Sequence, residues 1–138
     1  MSDEAAILDV MRAFAETYAN HDLEGISALF ARDEELVFYG TQENLHFVGW
    51  PALRRSIERQ FGAVHEAKIT YRETKVRVFG GGNAAVVATL LDMRSMIQGA
   101  PADFLGIRTT AALEQREGGW RIVHMHWSIP RAEVLVDH

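Results

Sequence analysis

The chain has 138 residues and a formal charge of −5, from 14 Lys and Arg against 19 Asp and Glu. This acidic balance disfavours a nucleic-acid partner, because nucleic-acid binding needs a basic surface. The sequence contains no cysteine, which excludes a disulfide framework, a thiolate nucleophile and a cysteine-ligated metal. The length predicts one domain over residues 1–138. No signal peptide is visible and no apolar run approaches the ~20 residues of a membrane span, so we expect a cytoplasmic protein with no membrane partner.

Helical patterns are confined to the first half of the chain. Ser2 can cap a first helix, whose apolar stripe runs from Ile7 to Tyr18 at spacings of three and four. Asp22 can cap a second helix with a stripe from Leu23 to Phe30. Gly49-Trp50-Pro51 starts a third helix, with proline at a tolerated first-turn position.

Strand patterns occupy most of the remaining chain. Two short strands are predicted around a polar turn, and from His65 onward the apolar period is two, with short glycine-rich connectors typical of hairpins. The predicted strands are 36–39, 45–48, 67–79, 84–97, 104–115 and 120–129. This order predicts an α+β fold: a cone-shaped, curved antiparallel sheet with the three helices packed on its concave face. Three helices cannot cover so long a sheet, so we expect an apolar pocket at the open end of the cone.

The last predicted strand, which Gly118-Gly119 opens and Pro130 closes, carries large side chains on both faces. At period two, one face presents Trp120, Ile122, His124, His126 and Ser128, and the other includes Val123, Met125 and Trp127. Both faces therefore need to be covered by other parts of the protein.

Two motifs resemble the nuclear transport factor 2-like superfamily. Residues 22–33, DLEGISALFARD, are similar to the second helix of ketosteroid isomerases and SnoaL-like cyclases. Residues 119–128, GWRIVHMHWS, are similar to the last strand of SnoaL-like domains and of the calcium/calmodulin-dependent protein kinase II association domain. The resemblance covers essentially the whole chain and implies the cone-shaped fold, with Val123, Met125 and Trp127 facing the pocket. It also implies that the opposite face contacts a second subunit; the predicted homodimer interface is Trp120, Ile122, His124, His126 and Ser128.

The same resemblance argues against two specific activities. Counted from the two motifs, the catalytic tyrosine and aspartates of ketosteroid isomerase fall at Phe14, Phe38 and Ala111 or Ala112. A phenyl ring or a methyl group can neither accept a proton nor donate a hydrogen bond to an enolate, so the chain is not expected to be a ketosteroid isomerase. The pocket arginines of the kinase association domain fall at Trp127 and Ala111, so its carboxylate-binding site is not expected either.

Candidate pocket residues follow from the aromatic content and from the predicted facing of each strand. The predicted ligand-binding wall is Phe14, Tyr18, Phe38, Trp50, Tyr71, Leu90, Thr109, Met125 and Trp127. Asp92 and Arg94 interrupt an apolar strand on one of its faces. If that face points inward, Asp92 is the best general-base candidate and Arg94 its catalytic partner; otherwise they form a solvated or interface pair.

The pattern His124-x-His126 places two imidazoles on one side of a strand and is a possible metal-ligand pair. His46, His65 or Asp92 could supply a third ligand, but nothing in the sequence directs one of them to the pair. We favour a hydrogen-bonded polar row in the subunit interface, and predict no metal and no cofactor.

The sequence is compatible with three functions. The first is a homodimeric domain that binds a small apolar or amphipathic molecule in the cone pocket. The second is a cofactor-independent isomerase, hydratase or cyclase that uses Asp92 as base. The third is an oligomeric association module.

Overall fold

The computed structural model describes residues 2–131; residue 1 and residues 132–138 of the predicted domain lie outside the described part. The elements are α1 (Asp3–Ala19), α2 (Leu23–Ser27), β1 (Val37–Tyr39), β2 (His46–Val48), α3 (Trp50–Ala63), β3 (Val64–Phe79), β4 (Ala84–Ile97), β5 (Ala100–Arg116) and β6 (Gly119–Ser128). The predicted α+β fold is confirmed, with all the described helices in the N-terminal half. Within residues 2–131, no helix combines the length and the apolar character needed to cross a lipid bilayer.

The first two helices begin at the predicted caps. The Ser2 hydroxyl accepts a hydrogen bond from Ala5 N at 3.2 Å, and the Asp22 carboxylate accepts one from Gly25 N at 2.9 Å. Helix α2 is shorter than its apolar stripe predicted. The chain leaves the helix because its backbone pairs with β6: Ile122 N donates to Leu29 O at 2.8 Å and Ala31 N to Ile122 O at 2.9 Å.

The sheet has six strands in the order β2-β1-β6-β5-β4-β3, and it is curved and not closed. Strands β3 to β6 are joined by consecutive hairpins and form the predicted antiparallel sheet. The short β1–β2 hairpin extends this sheet, and β1 pairs with β6 in parallel, a pairing that hairpin reasoning did not predict. The core lies between one face of the sheet and the helices.

Bulges bend the sheet at several positions. Two lie in β3, near Glu66 and Glu73, which have positive φ angles of 51° and 54°. A third lies in β5, where Leu105 and Gly106 together oppose Asp92 of β4; Gly106 has a φ of 72°, which favours glycine. Each extra residue increases the local twist and curvature of the sheet.

A bulge in β6 corrects the predicted dimer interface. Ala112 pairs with His124 but Leu113 pairs with Ile122, so Val123 is an extra residue in β6. The bulge reverses the alternation, and Trp120 and Ile122 therefore share the inner face with Met125 and Trp127. Their side chains are 4% and 0% exposed in the core of one subunit, so they cannot contact a second one. Val123, expected to face the pocket, is only half-buried and does not line it.

Candidate ligand pocket

A pocket of about 160 Å³ lies between the β1–β2 hairpin, the C-terminal end of α1, α3 and the inner face of the sheet. Its wall is mainly aliphatic and aromatic. The lining residues are Tyr18, Phe38, Gly40, Thr41, Gln42, Leu45, Phe47, Gln60, Val64, Met93, Ile97, Phe104, Ile107 and Trp127. None of these residues carries a carboxylate, a guanidinium, an ammonium or an imidazole group. The pocket is therefore suited to an uncharged molecule, since an isolated charge would lose hydration with no partner.

A series of hydrogen bonds between polar side chains connects α1 to α3 in the wall of the pocket. The Tyr18 hydroxyl donates to Gln60 Oε1 at 2.9 Å, and Gln60 Nε2 donates to the Ser56 hydroxyl at 3.2 Å. Burial raises the pKa of Tyr18 from 10.0 to about 12, because the phenolate would be poorly solvated. At neutral pH Tyr18 is thus a neutral phenol whose proton is engaged by Gln60, while its oxygen can still accept a hydrogen bond.

Trp127 is the largest aromatic side chain among the residues that line the pocket. Its ring packs edge-on against Phe14 and Phe38, with centroids 6.0 and 5.5 Å away. The indole Nε1 is buried and has no hydrogen-bond partner. Within residues 2–131 it is the one buried side-chain nitrogen or oxygen in that condition, and most buried polar groups in proteins do have a partner.

The lip of the pocket is the turn that joins β1 to β2. Gly40 N donates to Leu45 O at 2.6 Å, and Leu45 N donates to Gln42 O at 2.9 Å. A Cβ atom on Gly40 would lie 2.7 Å from Leu45 Cβ, closer than side chains normally approach. Glycine at this position therefore lets the turn fold tightly enough to place Leu45 against the pocket.

The predicted wall residues divide into two groups. Tyr18, Phe38 and Trp127 line the pocket. Phe14, Trp50 and Met125 do not: they are at most 7% exposed and lie in the core, where Trp50 stacks on Phe30 with centroids 5.5 Å apart.

The three remaining wall residues lie elsewhere and do not line the pocket. The Tyr71 hydroxyl donates to Met11 O at 2.9 Å, and burial raises its pKa. Leu90 is half-buried on the outer face of β4, and Thr109 is buried within the sheet, where its hydroxyl donates to Ile107 O at 3.3 Å. Bulges and strand pairing decide these positions, and neither is visible in the period-two pattern.

Asp92 and Arg94 do not meet the condition for the catalytic hypothesis, because their face of β4 points away from the pocket. On β4 the buried positions include Leu91, Met93 and Ser95, and Asp92 and Arg94 alternate with them. Arg94 is exposed and pairs with Asp103 at 2.7 Å.

Asp92 has a structural role instead. Its carboxylate accepts hydrogen bonds from Arg72 Nε at 3.0 Å and from the backbone N–H of Gly106 at 2.7 Å. These two donors hold the pKa of Asp92 below its usual value, with Arg72 the larger cause. A carboxylate that is stabilised in its charged form is a weak base, and this one braces the bulge in β5.

The outer face near β6 carries a cluster of aromatic and imidazole side chains. Tyr39 is 41% exposed, and its ring centroid lies 5.1, 6.0 and 5.5 Å from those of His46, His124 and His126. Ser128 lies on the same face of β6. Among residues 2–131, no group of three or more His, Asp or Glu side chains is arranged to hold a metal ion.

Sequence reasoning missed most of the pocket wall. Gln60 did carry a signal, since it continues the stripe of Leu53 and Ile57 as a polar residue at an inward position of α3. Met93 and Ile107 were visible only as apolar strand residues. The turn residues Thr41 and Gln42 carried no signal, because nothing in the local sequence shows which surface a turn covers.

Comparisons with known proteins identify the family and the fold. The sequence model of the SnoaL-like domain matches residues 7–132, whereas no curated protein matches the chain.

Solved structures of the same architecture come from several bacteria. A nuclear transport factor 2-like superfamily protein from Salmonella enterica is similar with a TM-score of 0.86 and 21% identity, over 97% of this chain and 94% of that one. A candidate dehydratase of that family from Streptomyces avermitilis gives 0.83 and 18%, over 94% and 98% of the two chains. A candidate calcium/calmodulin-dependent protein kinase II association domain from Xanthomonas campestris gives 0.76 and 22%, over 93% and 86%. At these identities the structures show the fold alone, which this chain shares with nuclear transport factor 2-like proteins. The sequence match over residues 7–132 shows that this chain belongs to the SnoaL-like domain family.

Proposed function

We propose that this protein binds a small, uncharged and largely apolar molecule in the pocket beneath the β1–β2 turn. The observation that carries this proposal is the composition of the wall, which combines aromatic and aliphatic side chains with a few neutral polar groups. Such a combination is typical of small-molecule sites. The predicted cytoplasmic location is part of the same proposal.

The volume of the pocket limits the size of the molecule. An engineered apolar cavity of about 150 Å³ in another protein stays dry and binds benzene. The pocket described above, about 160 Å³, fits a single ring with a short substituent. A fused polycyclic molecule would require the β1–β2 turn to move outward.

Binding is favoured over catalysis by the ionisable groups that the wall contains. An isomerase, hydratase or cyclase needs a group that exchanges protons near neutral pH. Tyr18 is the ionisable side chain of the wall, and its pKa of about 12 makes it a hydrogen-bonding group under those conditions. Asp92, the base of the enzymatic hypothesis, lies on the other side of the sheet.

The test is ligand binding by wild type and by two matched variants. Ile107→Phe enlarges a lining residue that is 1% exposed, and Leu105→Phe makes a similar change nearby on the same strand at a position that is 51% exposed. Titration calorimetry with ethylbenzene should show binding by wild type and by Leu105→Phe, and at least ten-fold weaker binding by Ile107→Phe. Benzoate should bind to none of them. If ethylbenzene does not bind to wild type, or if both variants bind equally well, the proposal is wrong.

We also propose that the protein is a homodimer that uses the outer face of β2, β1 and β6. Tyr39 and Val48 are large exposed residues on this face, next to His124, His126 and Ser128. Within this group no side chain is a carboxylate, guanidinium or ammonium group, and an exposed patch of this composition is typical of an interface.

Sedimentation of wild type at micromolar concentration should give a dimer. His126→Glu adds a charge to the exposed face and should weaken dimerisation at least ten-fold, while Arg55→Glu on the exposed side of α3 should not change it. A wild-type monomer would contradict the proposal. A defined assembly larger than a dimer in light scattering would instead support the association module.

A further inference from the structure

The buried indole nitrogen of Trp127 indicates what kind of atom the pocket accepts. Trp127 is 7% exposed, lines the pocket and has a well-packed ring, yet its Nε1–H lacks a hydrogen-bond partner. Leaving a buried donor unpaired is unfavourable, so native proteins rarely do so without a reason. We infer that the pocket recognises a ring-sized molecule with an uncharged acceptor oxygen, of which a ketone or aldehyde carbonyl is the simplest, and that Trp127 Nε1–H donates to it. This inference rests on the proposed function and specifies the ligand class.

The other polar groups of the wall support an acceptor. The Tyr18 hydroxyl donates a hydrogen bond to Gln60 Oε1, and Gln60 Nε2 donates one to the Ser56 hydroxyl. Gln60 Nε2 keeps a second N–H, but it already has one partner, whereas the indole nitrogen of Trp127 is the buried side-chain donor within residues 2–131 that has none. An indole nitrogen can only donate, so the matching ligand atom must be an acceptor.

The aromatic neighbours of Trp127 argue against a charged acceptor. Phe14 and Phe38 flank the indole ring, and none of the lining residues is cationic. A carboxylate would lose its hydration and gain one neutral hydrogen bond, which does not compensate for the loss. A carbonyl oxygen loses much less hydration, and the same hydrogen bond can offset that loss.

The experiment compares acetophenone with α-methylstyrene, in which a CH₂ group replaces the carbonyl oxygen with the same shape. Dissociation constants are measured for both ligands with wild type and with Trp127→Phe, a variant that keeps an aromatic ring but has no N–H. The mutation should weaken acetophenone about ten-fold, equivalent to about 1.4 kcal/mol. The same mutation should change the dissociation constant of α-methylstyrene by less than about three-fold. The effect of the mutation should therefore be clearly larger for acetophenone than for α-methylstyrene.

A second measurement uses only the wild-type protein, in case the variant does not fold. The indole N–H signals of Trp50, Trp120 and Trp127 can be followed by NMR in ¹⁵N-tryptophan-labelled protein. Acetophenone should move one indole proton downfield, as a new hydrogen bond does, and α-methylstyrene should not.

The outcomes separate this inference from the proposed function. The inference is overturned if both ligands bind but Trp127→Phe weakens their binding equally. It is also overturned if acetophenone and α-methylstyrene have the same effect on the indole N–H signals. In either case the pocket remains an apolar binding site. If neither ligand binds to wild type, the proposed function itself fails, and the inference fails with it.

Discussion

Replacing Ile122 by alanine tests the position of the β6 bulge, on which the assignment of inner and outer faces depends. Ile122 is 0% exposed, and its backbone pairs with Leu29 and Ala31 on one side and with β5 on the other. The substitution removes three carbon atoms, equivalent to about 2.4 kcal/mol at ~0.8 kcal/mol each. The surrounding strands cannot collapse fully into the space, so we expect a total loss of about 3 to 4 kcal/mol in the free energy of unfolding.

Urea unfolding followed by circular dichroism measures this loss. For a domain of this size a loss of that magnitude also corresponds to a decrease of roughly 12–16 °C in Tm. Val123→Ala is the matched control, because Val123 is the half-buried bulge residue, and it should cost about 1 kcal/mol or less. Since Ile122 is buried within one subunit, the dissociation constant of the proposed dimer should not change.

The opposite pattern would refute this reasoning. If Ile122→Ala left the unfolding free energy within about 1 kcal/mol of wild type but weakened dimerisation, Ile122 would lie in a subunit interface. If Val123→Ala proved as damaging as Ile122→Ala, the bulge would lie elsewhere in the strand.

Three further predictions concern single side chains. Asp92→Asn should destabilise the protein at neutral pH and progressively less below pH 3.8. The lowered pKa of Asp92 means that the charged carboxylate stabilises the folded wild type above its ordinary pKa of 3.8, and that this stability is lost as the pH falls. An equal difference in stability between the two proteins at pH 7 and pH 2 would contradict this. Wild type should lose stability between pH 10 and about pH 12, because the phenol of Tyr18 ionises more easily in the unfolded chain than in the folded protein, where it is buried. Tyr18→Phe should lose roughly 2 to 3 kcal/mol less over that range. If urea titrations gave parallel curves of unfolding free energy against pH for the two proteins, Tyr18 would not be the cause. Gly40→Ala should displace Leu45, lower Tm and speed ligand dissociation in stopped-flow measurements. Unchanged dissociation would mean that the turn does not control access to the pocket.

Local sequence signals predicted the elements well where the signal and its cause lie in the same segment. The Ser2 and Asp22 caps formed as expected, because an N-cap depends on residues within one turn of helix. Strand β4 has the predicted bounds, since strict alternation and glycine-rich connectors define a strand without reference to its partners. Helix α2 ended early because distant β6 offered its backbone other hydrogen bonds, an effect that local propensity cannot contain.

The candidate site was predicted less well than the fold. Tyr18, Phe38 and Trp127 could be named because large aromatic residues on apolar faces must pack against the core or line its cavities. The sequence suggests Asp92 as a base because an acid in an apolar strand is unusual. In the structure, Arg72 of β3 and the backbone N–H of Gly106 of β5 donate hydrogen bonds to Asp92. These bonds show that Asp92 stabilises the bulge in β5.

The sequence by itself determined the order of helices and strands, the family and the presence of an apolar concave face, because amphipathic periodicity and capping act over a few neighbouring residues. Tertiary structure decided which side chains line the pocket and which face outward. One extra residue at Val123 changes the facing of Trp120 and Ile122, and that extra residue exists only in relation to the register of β5. Facing is a property of paired strands, so it becomes defined only when strands that are distant in the chain are hydrogen-bonded to one another.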